Sequence, residues 1–226
     1  MLMKKIFILF LLAILSSKIV AKEMLSVGFQ YGSLWEKSSK QGKTAASWLG
    51  SPGIVLNAYS FKWNPNIGIF IQDSLLFPTR SRLTVNNETV IDGVKEADYA
   101  FLFEFAIGPV YKFNLSKKTG LCIAAGPNIS LLNAETGKYV YNPFLYMTER
   151  LYIKNFAFAA GIALNANIKH DITDFLCIDI GSKFVFDFAN YIKNTSNIST
   201  IPNVSKWNSG YFGFHLAPYI AIGFNI

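Results

Sequence analysis

Residues 99 to 113 read YAFLFEFAIGPVYKF, and they alternate strictly. Tyr99, Phe101, Phe103, Phe105, Ile107, Pro109, Tyr111 and Phe113 fall on one side, and Ala100, Leu102, Glu104, Ala106, Gly108, Val110 and Lys112 on the other. A period of 2 is the signature of a strand with two different faces. One face here is large and mostly aromatic; the other is small, with a few charges. A soluble sheet coats its wet side with Lys, Glu and Thr rather than with Ala and Gly. The pattern therefore calls for a strand whose bulky face is not turned toward a protein core.

The wider sequence narrows the setting. Of 226 residues only 15% are charged and 51% are apolar, against roughly 25% charged in an ordinary soluble domain. Met1 to Lys5 is basic, Ile6 to Leu15 is an unbroken apolar run, and Ile19, Val20 and Ala21 end on a small residue. This is the pattern of a cleaved export signal, about half as long as a membrane span needs to be. Residues 1–21 are expected to be the signal peptide and 22–226 the mature domain. Losing Lys4, Lys5 and Lys18 takes the formal charge from +7 to +4, too small an excess to argue for nucleic acid. Beyond the signal no run reaches 18 apolar residues, so an exported, greasy chain is left with a closed β-barrel, the other structure that pairs every backbone group inside lipid.

The chain divides into eight alternating segments, near 24–34, 53–63, 67–77, 99–113, 120–131, 156–165, 176–188 and 212–226. Short polar turns at about 64–66, 114–119 and 169–174 alternate with long connections at about 35–52, 78–98, 133–154 and 189–210. That rhythm is the one expected of an all-β, eight-stranded antiparallel transmembrane barrel, with short periplasmic turns and four long external loops. The bulky face is expected to meet lipid, Tyr59, Phe61 and Trp63 being grouped together on one side of the second strand. The opposite face points into a lumen that side chains fill. Asp73 is in phase with Ile67, Ile69 and Ile71, and Pro109, Pro127 and Pro218 lie inside strands, so bulges are expected at these places.

Glu104, Lys112, Asp179, Lys183, Asp187 and His215 are the expected lumen polar network, either a salt-bridged plug or a polar passage. Cys122 and Cys177 also face inward; in an oxidising compartment they are candidates for a bridge, although their strands are not neighbours. Trp35, Lys37, Lys40, Lys43 and Trp48 in the first long connection, with Lys206 and Trp207 in the last, are candidate loop contacts for host surface, glycan or lipid phosphate. His170 and His215 are the only histidines, and no nucleophile and base pair emerges around either. No catalytic residue, cofactor or metal ligand is expected, and the chain is read as non-enzymatic.

By its alternation, turn rhythm and terminal strand the mature chain resembles the small eight-stranded outer-membrane barrels of diderm bacteria, the OmpA/OmpX-like and OmpW-like class. In that class the last strand is read by the outer-membrane assembly machinery, and Ile220, Ile222, Phe224 and Ile226 match its spacing; the class usually ends on an aromatic. The resemblance implies outer-membrane lipid and the assembly machinery as partners, and a surface or structural protein working through its loops. The alternatives are a narrow pore or transporter for small or hydrophobic solutes, a lipid A-modifying enzyme, and a soluble lipocalin-like carrier.

Overall fold

The computed structural model describes residues 24–40, 43–85, 88–92, 97–142, 147–196, 204–208 and 211–225. The export signal expected at residues 1–21, and Ile226, lie outside them. The described residues form eleven strands: β1 (Met24–Lys40), β2 (Lys43–Ser60), β3 (Ile67–Leu76), β4 (Arg80–Val85), β5 (Glu88–Asp92), β6 (Ala97–Asn114), β7 (Thr119–Asn142), β8 (Met147–Asp171), β9 (Leu176–Ser196), β10 (Val204–Asn208) and β11 (Tyr211–Phe224). Eight of them close a ring in the order β1, β2, β3, β6, β7, β8, β9, β11 and back to β1, every pair antiparallel. The remaining three extend the rim: β4 pairs with the upper part of β2 and β5 with β4, and β10 pairs with the upper part of β9. Among the described residues no helix is long and apolar enough to cross a membrane.

The stagger of the ring can be read from its register. Opposed partners lead from Ser26 through Asn57, Gln72, Ala106, Asn128, Gly161, Asp187 and Gly213 to Glu36, ten residues above the start on β1. A shear of this size tilts the strands by roughly 35–45°, and eight tilted strands leave room inside for side chains alone.

The outer surface is a lipid-facing one. Ile107, Ile123, Ile162, Leu164, Ile180, Ile220 and Ile222 form an aliphatic band in which each residue is 36–56% exposed. Aromatic pairs border it, Tyr111 with Phe113 and Phe175 with Phe224 toward the short turns, Trp35 with Phe214 and Tyr99 with Phe101 toward the long hairpins. Water would not tolerate so large an apolar patch on a monomer, whereas a bilayer with aromatic-loving interfaces requires it.

Four expectations need correction. The segments read as loops continue as strand: β7 and β8 run for 24 and 25 residues, where a tilted crossing takes about 9–11, so the barrel wall rises into tall hairpins. Tyr59 and Phe61 turn inward and are buried; they share the phase of Asn57, which points into the lumen toward Asp179. Trp63 lies in the turn beyond. Asp73 needs no bulge: the register of β3 with β2 and β6 is unbroken, and Asp73 stands opposite Leu56 and Phe105 with its side chain buried.

Nor do the prolines shift the register. Pro109 and Pro127 flank one gap in the β6–β7 ladder, which resumes in phase on either side, and Pro218 flanks a similar gap between β1 and β11. The missing N–H is absorbed by dropping a few ladder pairs. At the first gap Gly108 and Gly126 face each other so closely that a Cβ on either would meet the other's Cα at 2.8 Å, so the repeated Gly-Pro pairs belong together. The register breaks of the wall lie elsewhere: one between Ala97 and Tyr99 on β6, and one between Ala160 and Gly161 on β8, where β9 carries the extra residue Phe188 and reverses its facing above that point.

Depth on this wall is testable by substitution. Ile162→Arg, in the aliphatic band, is expected to lower unfolding stability in lipid by about 2–4 kcal/mol, whereas Phe158→Arg, two pleat repeats further along β8 and nearer the headgroups, costs about 0–1 kcal/mol. Denaturant unfolding of the refolded barrel in bilayers checks both.

Candidate functional site

The interior is built in layers, beginning at the end with the short turns. Met24, Phe61, Phe70, Val110, Cys122 and Cys177 form an apolar floor. Lys112 closes over it, its Nζ 5.4 Å from the centre of the Phe61 ring, a cation–π contact. Both thiols are free and buried.

Above the floor lies Asp179, fully buried and held without a cation. Its Oδ2 accepts from Ser26 Oγ (2.9 Å) and Asn57 Nδ2 (3.0 Å), and its Oδ1 from Asn167 Nδ2 (2.5 Å) and Tyr219 Oη (3.5 Å). Tyr59 Oη donates to Asn167 Oδ1 at 3.2 Å, and Gln72 Nε2 to Asn57 Oδ1 at 2.7 Å. Four dipoles aimed at one carboxylate do the work that water would otherwise do.

The next layer is ionic. Lys183 Nζ lies 2.6 Å from Glu104 Oε2 and donates to Ser74 Oγ at 2.8 Å. His215 Nδ1 lies 2.5 Å from Glu104 Oε1. Lys183 is on β9 and Ser74 on β3; His215 is on β11 and Glu104 on β6. In an eight-strand ring each of those pairs is four strands apart, which is the full diameter, so these side chains are crossbars through the centre of the barrel. The long Lys183 side chain, 0% exposed, is what the span requires. Gly32 makes room for the imidazole: a Cβ there would sit 2.3 Å from His215 Nε2 and 3.0 Å from Leu76 Cδ2.

Leu34, Leu76 and Leu102, backed by Leu49 and Leu132, cap the ionic layer. Between cap and network, beside Asp187, whose Oδ2 accepts from Ser130 Oγ at 3.2 Å, a cavity of about 10 Å³ remains, the room of a single water.

Of the expected lumen residues the structure brings Glu104, Lys183 and His215 into one cluster. It puts Asp179 in a neutral cradle below, Asp187 beside the cap, and Lys112 at the floor. Sequence alternation could place them in the lumen but not pair them, because pairing depends on the shear. Of the donors to Asp179, Ser26 is legible as a polar residue on the inner face, whereas Asn57 shares the phase of Tyr59 and Phe61, the side expected to meet lipid, and Asn167 lies past the expected end of its strand.

At the other end of the wall, Trp35 and Lys37 are exposed on β1, and Trp207 is exposed on β10. Lys40, Lys43, Trp48 and Lys206 fall on strand positions, but their side chains lie outside the described residues. Ile220, Ile222 and Phe224 point outward on β11, the Phe224 ring 5.4 Å from that of Phe175.

The ionic layer can be dissected. Glu104→Leu leaves Lys183 buried without its carboxylate and is expected to cost about 3–5 kcal/mol; pairing it with Lys183→Met recovers most of that loss. Gly32→Ala is expected to destabilise the barrel through the clash with His215, and His215→Ala to relieve it. The temperature at which the heat-modifiable gel band converts reads all four variants.

No family model matches the chain, and no curated protein does. Among solved structures it is similar in fold to Ail, the attachment invasion locus protein of Yersinia pestis, with a TM-score of 0.41 and 10% identity over 91% of this chain and 99% of that one. Neisserial surface protein A gives 0.42 and 13%, over 89% and 97% of the two chains. The outer membrane protease OmpT of Escherichia coli gives 0.45 and 9%, over 90% and 97%.

Proposed function

We propose that the chain is an outer-membrane barrel that conducts nothing through its lumen, catalyses no reaction, and does its specific work on the hairpins that rise above the lipid. The observation that carries this reading is the filled interior. Glu104, Lys183 and Asp179 are each 0–1% exposed, and crossbars join strands that face one another across the ring. A polar passage would need these groups hydrated and apart, whereas they are dry, Glu104 bonded to Lys183 and Asp179 to neutral donors.

The neutral or compensated state of the lumen also bears on catalysis. Among the described residues His215 Nε2 has no hydrogen-bond partner, so no hydroxyl is poised against the imidazole that Glu104 orients. His170 does meet a hydroxyl, Thr119 Oγ1 at 3.0 Å, but as an exposed cross-strand pair at the short-turn end. A nucleophile needs its base and an orienting group together, and neither histidine supplies all three.

The work then falls to the upper wall. Hairpins of β1 with β2, β7 with β8, and β9 with β10 project a rigid framework beyond the bilayer, and recognition is placed on such ends of a stiff scaffold. Host surface or glycan is the partner class this reading expects there, with outer-membrane lipid around the wall and the assembly machinery reading the last strand.

Planar-bilayer recording of the refolded mature barrel is the test, with the heat-modifiable gel shift verifying folding of the same sample. A folded protein that leaves the bilayer silent is the expected result. Reproducible single-channel steps, abolished or enlarged by Lys183→Met, would overturn it in favour of a pore.

A further inference from the structure

The outer rim is not uniform around the barrel. On one side, rings of three neighbouring strands line up: Phe186, Phe214 and Trp35 on β9, β11 and β1, with centroids 5.3 and 5.6 Å apart. A second row, Phe158, Tyr191 and Trp207 on β8, β9 and β10, stands higher on the same β9, with centroids 6.3 and 5.6 Å from Trp207. The bulge at Phe188 makes this second row possible, because it turns Tyr191 and Lys193 to the outer face.

Each row has a lysine one pleat further out, about 7 Å along its strand. Lys37 follows Trp35 and lies opposite Phe212; Lys193 follows Tyr191 and lies between Phe156 and Ser205. Both are exposed, and neither has an acidic partner among the described residues. Ser205 Oγ and Tyr191 Oη, 2.6 Å apart, add hydroxyls beside Lys193. The adjoining β6–β7–β8 face is different: there Lys154 Nζ is 3.3 Å from Glu135, which also accepts from Tyr99 Oη at 3.2 Å, and the charge is already neutralised.

We propose that the β8–β9–β10 and β11–β1 side of the outer rim binds a phosphate-bearing lipid of the outer leaflet, Lys37 and Lys193 taking the phosphates while the aromatic rows seat the headgroup boundary. The proposal rests on the outer-membrane reading above and adds a ligand to it. Rings of Trp and Tyr settle at the headgroup level, so a cation just beyond them is held at phosphate depth, where each is worth about a fivefold gain in binding. A soluble phosphate would gain the lysines without the rings; a neutral lipid would gain the rings without the lysines.

Native mass spectrometry of the detergent-refolded mature barrel, titrated with lipid A and separately with dephosphorylated lipid A, tests this. The expected result is binding of lipid A, weaker binding of the dephosphorylated form, and a loss of about fivefold in lipid A affinity for each of Lys37→Gln and Lys193→Gln. Lys117→Gln, on an exposed turn at the opposite end, is expected to bind as the parent does. Equal binding of the two lipids, or an equal effect of Lys117→Gln and Lys193→Gln, overturns the proposal while leaving the barrel reading intact. A protein that gives no heat-modifiable band and stays soluble without detergent overturns both.

Discussion

Backbone pairing around a closed ring is the constraint on which the rest of the molecule depends. Inside hydrocarbon an unpaired N–H or C=O has no water to fall back on, so all eight wall strands must find neighbours on both sides, and β1 must pair with both β2 and β11. Closing eight strands with a stagger of ten residues sets the diameter, and the diameter decides what the lumen can hold. The prolines show how strong the constraint is. Rather than shift the register and turn every following side chain to the wrong face, the wall gives up two or three rungs at Pro109, Pro127 and Pro218 and resumes in phase.

The interior charges follow from that geometry. Taking a carboxylate out of water costs far more than a neutral group does, and two solutions are seen one above the other. Asp179 is solvated by four neutral donors. Glu104 is bracketed by Lys183 and His215. The second solution reaches across the barrel, so it ties the wall as a crossbar as well as compensating charge; the first is more local and gathers donors mainly from the side on which β1, β2, β8 and β11 approach. A buried pair of this kind contributes little net stability against an apolar filling of equal shape, yet removing one half is costly. Its value to the fold is therefore alignment: only one stagger brings Lys183 to Ser74 and His215 to Glu104.

Alternation told a great deal about this wall and little about its heights. Strands such as 99–113 and 212–226 were legible because each face is chemically uniform, and the lumen letters Glu104, Lys183 and His215 fell on the inner face by phase alone. On the second strand the size of Tyr59 and Phe61 points to lipid, whereas their phase with Asn57 sets them inward. The upper hairpins were read as loops because Lys, Ser, Asn and Thr there do not alternate, since above the bilayer both sides of a strand meet water and the period-2 signal has no cause. The bulge at Phe188 was invisible for a related reason: Phe184, Phe186 and Phe188 continue the apolar beat, and only the pairing with β8 shows that the beat slips.

That slip has the widest consequence for the outside of the molecule. Were Phe188 paired in regular register instead of bulged out, Asn190 and Ile192 would face outward and Tyr191 and Lys193 inward, so the higher aromatic row and its lysine would not exist. A bulge re-aims side chains at small cost in pairing, and here it lies where the wall leaves the hydrocarbon, the level at which outward aromatics and cations gain most. The same polypeptide feature thus ends the aliphatic band and starts an interfacial surface, and it does so on β9, the strand that also carries Asp179 and Lys183 into the lumen. Below the bulge β9 sets the chemistry of the lumen with Asp179 and Lys183, and above it the change of phase sets the outer surface with Tyr191 and Lys193.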